Sequence, residues 1–168
     1  MTEMAVCLAG PDDAAALAVL IEEMDRFYGA AGTEPPGERL RQINEALFAN
    51  PPAAYALLAW DSTRLAGFAA YSFLWPAAGL TRSLYLKELY VAGDCRHRAV
   101  GKMLMQAVLD VASKHGCSRV EWTTDRDNSG AQAFYATLGL PAQPSKIFYR
   151  VEDTGTGFQL PKSGQPAD

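Results

Sequence analysis

Residues 86–102 read Leu-Lys-Glu-Leu-Tyr-Val-Ala-Gly-Asp-Cys-Arg-His-Arg-Ala-Val-Gly-Lys. A strand-like run ending at Val91 gives way to a polar stretch, Ala92–Ala99, and then to a helical pattern starting at Val100. The helix is expected over Val100–His115, with Met103, Leu104, Ala107, Val108 and Val111 on one face and Gly116 in the C-cap position. A helix N-terminus offers free N–H groups and a partial positive charge. The small residues Ala99 and Gly101 let a ligand approach the backbone, and Arg96, Arg98 and Lys102 add positive charge. These properties suit a diphosphate. They suit equally an ordinary strand-to-helix turn with solvated arginines, so the turn alone leaves both readings open. Its spacing is neither the Gly-x4-Gly-Lys-Ser/Thr phosphate loop nor the Gly-x-Gly-x-x-Gly dinucleotide turn.

On the N-terminal side, Ala5–Ala9 reads as a short strand broken by Gly10-Pro11. Asp12 or Asp13 then caps a helix from Ala14 to Tyr28, with Leu17, Leu20, Ile21, Met24 and Phe27 at helical spacing. A loop, Gly29–Gly37, leads to a second helix, Glu38–Ala49, stopped by Asn50-Pro51-Pro52. Three strands follow as an antiparallel meander: Tyr55–Asp61, Leu65–Leu74 and Ser83–Val91. On the C-terminal side we expect a strand at Arg119–Thr124, a helix at Ser129–Leu138 and a last strand at Lys146–Val151. The second half therefore alternates strand and helix, an α/β pattern. Residues 1–151 form one domain in this reading, and the Gly-, Pro- and Thr-rich residues 152–168 form a poorly ordered tail.

The chain has 168 residues, 49% of them hydrophobic, enough for one sizeable core without disulfides or metals. A net charge of −4 argues against a nucleic-acid partner and is compatible with a cationic one. The three cysteines, Cys7, Cys95 and Cys117, match no zinc spacing, and the two histidines, His97 and His115, make a metal site improbable on count. Free thiols suit a reduced, cytoplasmic setting. No secretory leader and no membrane span is expected from the apolar runs.

Residues 128–140 read Asn-Ser-Gly-Ala-Gln-Ala-Phe-Tyr-Ala-Thr-Leu-Gly-Leu. This stretch and the 86–102 segment together resemble the GNAT superfamily of N-acetyltransferases. That family shows Arg/Gln-x-x-Gly-x-Gly/Ala after a strand of the "ELYV" kind, and Asn-x-x-Ala-x-x-Phe-Tyr-x-x-x-Gly-Phe about thirty residues on. Here the turn is Arg96-x-x-Ala99-x-Gly101. The register is good from Leu84 to Leu140. Three departures stand out: Ala99 and His97 replace frequent glycines, and Leu140 replaces a phenylalanine. Alanine fits at 99 if φ stays negative; a left-handed conformation there carries a penalty. The runs "EEMDRFYG" and "YSFLWP" are similar to the spermidine/spermine and thialysine acetyltransferase branch, although that branch often has an acid where Lys87 stands.

The resemblance implies a mixed α/β (α+β) fold: one GNAT-like domain with a splayed sheet of about six to seven strands and about four flanking helices. It implies acetyl-CoA as cosubstrate, no metal, a small-molecule amine as acceptor, and a homodimer. The pantetheine arm would pair with the backbone of Leu89 and Val91 beside Tyr90, in the splay between strands. The diphosphate would sit on the amides of His97, Arg98, Ala99, Val100, Gly101 and Lys102, with Arg96 alongside. Asn128, Ala131 and Phe134 would complete the coenzyme side. A catalytically silent acyl-CoA-binding module and a protein or peptide acetyltransferase are the alternative readings.

Acyl transfer to an amine needs a free-base amine, a polarised carbonyl and a proton for the departing thiolate. An amine with a pKa near ~10.4 is only about 10⁻³ free base at neutral pH, so a proton acceptor helps. A phenol near ~10 can protonate a thiolate near ~8.5. By resemblance Tyr135 is that acid; by position alone it reads sooner as a core or interface tyrosine. Glu88 is a charge inside an apolar strand, which is costly unless useful or exposed. It can take the amine proton, bind a cationic substrate, or simply face solvent, while Lys87 points to the opposite face. The amide of Val91 is the candidate oxyanion donor. The acceptor side is expected from Glu22, Glu23, Phe27 and Tyr28, plus Tyr71, Phe73, Trp75 and Pro76, with Tyr28, Glu88 and Trp75 as the named substrate contacts. Cys95 reads as a small buried residue and His97 as a turn residue.

Overall fold

The computed structural model describes residues 4–153 and 155–160. The described residues divide into two compact units, one up to Asn128 and one from Ser129 onward.

In the first unit the alternating apolar runs become strands and the 3.6-residue patterns become helices. The elements are β1 (Met4–Leu8), α1 (Ala14–Phe27), α2 (Pro36–Phe48), β2 (Tyr55–Asp61), β3 (Arg64–Leu74), β4 (Arg82–Val91), α3 (Val100–Lys114) and β5 (Cys117–Glu121). The sheet runs β1-β2-β3-β4-β5. Its first four strands are antiparallel, and β5 joins β4 in parallel through the α3 crossover. The expected meander is therefore present. Gly116 ends α3 with φ +66, and β5 starts at the next residue, two residues before the position read from sequence.

Helices cover both faces of the sheet, as an α/β layer requires. Val100, Leu104, Met105 and Val108 of α3 are buried under one face. Leu17 and Leu20 of α1 and Ile43 of α2 are buried on the other. Arg39 of α2 is 5% exposed and reaches Asp25 of α1 at 2.9 Å and Glu34 of the intervening loop at 3.0 Å. The ion pairs satisfy a buried guanidinium and join both helices to the loop between them.

The second unit holds α4 (Ser129–Thr137). Two expectations are corrected here. Among the described residues the sheet has five strands, not six to seven. The segment Lys146–Val151 is not a strand. Ile147, Phe148, Tyr149 and Val151 have β-forming side chains, but they are exposed, and a strand exists only where a neighbour completes its ladder. No regular element occurs among the described residues after Thr137. Thr154 and residues 161–168, most of the expected tail, lie outside the described residues.

Two positions carry measurable constraints. Gly67 of β3 lies under α3, where a Cβ would meet the Tyr90 carbonyl oxygen at 2.8 Å, Leu104 Cδ1 at 3.1 Å and Val100 Cγ1 at 3.2 Å. Gly67→Ala is expected to destabilise the protein by about 1–3 kcal/mol, read as a lowered urea midpoint. Ala99, the residue that opens α3, has φ +63, the left-handed conformation that penalises a side chain. Ala99→Gly removes that strain and loosens the unfolded chain. The net gain is expected near 1 kcal/mol by the same urea titration, and a destabilised variant would contradict it.

Candidate active site

Beta strand β4 leaves its parallel neighbour early. It pairs with β5 only over Arg82–Tyr85, so Leu86–Val91 has no partner strand on that edge. The register with β3 shows which groups this exposes. Ala66, Phe68 and Ala70 stand opposite Ala92, Tyr90 and Glu88, and the Ala92 N–H donates to the Ala66 carbonyl at 2.9 Å. Hydrogen-bonded pairs alternate along an antiparallel ladder, so Tyr90 and Glu88 also bond towards β3. The N–H and C=O groups of Leu89 and Val91 therefore point to the open edge. Backbone polar groups left without a ladder need another partner, and an extended chain bearing amides can supply one.

The strand leads into the turn. His97 has φ +65 and Ala99 φ +63, while Arg98 between them is not among the positive-φ residues. Alternation of backbone hand aims successive N–H groups into one concavity, a geometry that binds anions. It opens directly onto the first turn of α3, whose amides and dipole add to the same field. His97, Arg98, Ala99 and Lys102 are exposed there, whereas the Val100 side chain is 1% exposed and belongs to the core, leaving only its backbone for a ligand.

The turn's arginines are engaged by the protein. Arg98 pairs with Asp61, the last residue of β2, at 2.7 Å. The Arg96 guanidinium lies 4.2 Å from the centre of the Phe27 ring, and its Nε donates to the Val91 carbonyl at 3.3 Å. Asp94 accepts from both terminal nitrogens of Arg64. Glu23 of α1 accepts from the Gly93 N–H at 2.9 Å and from the Tyr90 hydroxyl at 3.0 Å. The concavity is thus anchored to β2, β3 and α1. Exposed ion pairs of this kind contribute little stability each, but together they fix a loop. Cys95, inside the same segment, is 1% exposed, and burial pushes its thiol above the usual range.

Glu88 is positioned by a bulge. Ala70 pairs with Glu88 and Tyr71 with Leu86, so Lys87 is an extra residue in β4. A bulge shifts the alternation by one. Leu84 and Leu86 pair with Phe73 and Tyr71 on the α3 face, where Phe73 also meets His115 with ring centres 4.8 Å apart. After Lys87, Glu88 and Tyr90 turn to the other face, beside α1. Burial is the main cause that raises the Glu88 carboxyl above the ordinary range; Lys87 opposes it, and the negative charges of Asp25 and Asp125 add to it. The Tyr28 phenol is raised by burial and then by Glu88, so Tyr28 and Glu88 share one neighbourhood.

Phe27 joins that neighbourhood, its ring centre 5.2 Å from that of Tyr28, whereas Tyr71, Phe73 and Trp75 lie elsewhere. Tyr71 is 3% exposed and stacks on Tyr55 at 5.4 Å, on the α3 face with Phe73. Trp75 lies beyond the far end of β3, five residues past Ala70, or roughly 17 Å along an extended chain. Its indole N–H donates to the Leu80 carbonyl at 3.0 Å.

In the second unit, α4 carries Ala131, Phe134 and Tyr135. Phe134 and Tyr135 touch, ring centres 5.1 Å apart. Gly139, φ +72, lies just past the end of the helix at Thr137. The Leu140 N–H bonds to the Tyr135 carbonyl at 3.0 Å and the Gly139 N–H to that of Ala136 at 3.0 Å. This double closure needs a left-handed residue at 139, which explains a glycine four residues after Tyr135. Asn128 is the last residue of the first unit.

Sequence reading missed Asp61 and Asp25, whose roles come from long-range pairing. It placed Glu23 on the acceptor side without its tie to Gly93. A lone acid at a strand end or on a helix face gives no local signal of such a partner.

Residues 17–140 match the acetyltransferase (GNAT) family. The chain is 29% identical over 155 residues to a mycothiol acetyltransferase of Beutenbergia cavernae, covering 82% of this chain and 52% of that protein. It is 29% identical over 75 residues to a thialysine N-epsilon-acetyltransferase of Sus scrofa, covering 45% of this chain and 44% of that one. The chain thus spans about half the length of the curated relatives it matches. An integron cassette protein from the mobile metagenome of V. cholerae shares the fold, with TM-score 0.84 at 24% identity over 92% of this chain and 95% of that one. With the open β4 edge, the left-handed turn and the match over residues 17–140 in hand, the chain belongs to the GNAT family of acetyltransferases.

Proposed function

We propose that this protein transfers an acetyl group from acetyl-CoA to a primary amine of a small molecule. The observation that carries the reading is the continuity of two sites on one chain segment. The open backbone of Leu89 and Val91 suits the amides of a pantetheine arm. The concavity at His97–Ala99, a few residues on, suits its diphosphate. The mycothiol and thialysine relatives support a small-molecule acceptor, and the acidic surroundings of Glu88 support one that carries positive charge.

In this reading the Val91 amide donates to the developing oxyanion. Glu88 takes the proton of the incoming amine, directly or through one water, and burial raises its affinity for protons, which favours a base. Tyr135 supplies the proton to the departing thiolate. Asn128, Ala131 and Phe134 line the coenzyme side.

A panel of primary amines assayed for free thiol release with acetyl-CoA tests the reading. Turnover on a small amine supports it, whereas tight CoA binding without turnover on any member would overturn it. Tyr135→Phe is expected to lower kcat by about 10²-fold or more while CoA affinity stays within about twofold; an unchanged kcat removes Tyr135 from the mechanism.

Glu88→Gln is expected to lower kcat/KM and to abolish an acidic limb that lies above the ordinary glutamate range. It should also stabilise the protein at pH 7. A carboxyl with a raised folded pKa favours the folded state most when it is protonated. It loses that contribution as pH rises through the folded value. The gain from glutamine should therefore vanish below about pH 4, where Glu88 is neutral in both states. Denaturation midpoints across pH would show it.

A further inference from the structure

We propose that Glu23, on α1, is a positioning residue for the coenzyme turn, with Arg96 as the second half of the same brace. The proposal rests on the reading above and concerns how that site is held in shape.

Glu23 lies about seventy residues from the turn in sequence, yet one of its oxygens, Oε1, accepts two hydrogen bonds from it. The Gly93 N–H donates at 2.9 Å and the Tyr90 hydroxyl at 3.0 Å. These two donors flank Val91, the residue whose backbone faces the open edge. Four residues along α1, Phe27 places its ring 6.0 Å from Tyr90, and the Arg96 guanidinium lies over both rings, at 4.2 and 5.7 Å. The Arg96 Nε bonds back to the Val91 carbonyl at 3.3 Å. One turn of α1 therefore grips the chain at residues 90, 93 and 96. These residues bracket the strand end and lead directly into the left-handed pair at 97 and 99.

Two features separate this from ordinary packing. Glu23 is exposed, so it contributes little to the core, and the conformation it stabilises includes a left-handed alanine that the local sequence disfavours. Arg96, basic enough to serve as a phosphate ligand, is turned instead onto Phe27 and Val91. Its charge still lies near the concavity, but its hydrogen bonding serves the strand end. The brace pre-pays the ordering of the turn, and a site ordered before binding loses less entropy when the ligand arrives.

The test uses the full-length chain and coenzyme A as the probe in calorimetric titration. Wild type, Glu23→Ala and Glu23→Gln are compared, with steady-state kinetics on whichever amine is turned over. Glu23→Ala is expected to weaken CoA binding by about fivefold to tenfold and raise KM for acetyl-CoA similarly, with kcat at saturation within about twofold. Glu23→Gln keeps an oxygen that accepts from both donors and should restore most of the affinity. A merely destabilised fold would lower kcat through lost active protein and leave KM unchanged, so the split identifies positioning. Glu23→Ala with wild-type affinity overturns the proposal, as does a glutamine variant as weak as the alanine one. If wild type itself does not bind coenzyme A, it is the proposed function that fails, and the brace loses its purpose with it.

Discussion

The early departure of β4 from β5 is the constraint on which the rest of the site depends. A sheet interior has no spare backbone groups, because each N–H and C=O is committed to a neighbour. Here the parallel pairing stops at Tyr85, and six residues of β4 continue with one edge open. That opening leaves main-chain groups of Leu89 and Val91 able to bond a ligand, a capacity that substitutions other than proline leave in the backbone. The strand remains anchored because β3 pairs with it on the other side as far as Val91.

The same strand solves a second problem through its bulge. A carboxylate in phase with Leu84 and Leu86 would be driven into the α3 core at high cost. The extra residue at Lys87 moves Glu88 to the α1 face, where it is only half-buried and where Tyr28, Asp25 and Asp125 share its field. One irregularity in the ladder therefore separates the packing half of β4 from its chemical half. Bulges recur next to active sites for this reason: they re-aim a side chain without interrupting the strand.

The turn after β4 shows how a strained backbone is kept. Two non-glycine residues sit in the left-handed region within three positions, each at a cost of about 1–2 kcal/mol. Such a conformation persists where its surroundings over-determine it. Asp61, Arg64 and Glu23, drawn from three separate elements, hold the segment on both sides of Cys95.

Much of this was legible from residues alone. The 3.6-residue patterns of α1 and α3, the strand at Tyr55–Asp61 and the glycine that closes α3 depend on local periodicity and local backbone geometry, which a sequence states directly. So does the family motif from Asn128 to Leu140. The strand expected at Lys146–Val151 shows the limit: its side chains favour a strand, but a strand is a relation between two segments, and no ladder forms there. The spacing of Trp75 from Glu88 has a related cause, since residues along a strand separate by about 3.3 Å each. What the sequence determined by itself was the order of elements as far as α4 and the chemical types available at the turn and on that helix. What only the tertiary structure decided was the open edge, the phase of Glu88 and the engagement of Arg96 and Arg98, because each of these depends on partners tens of residues away.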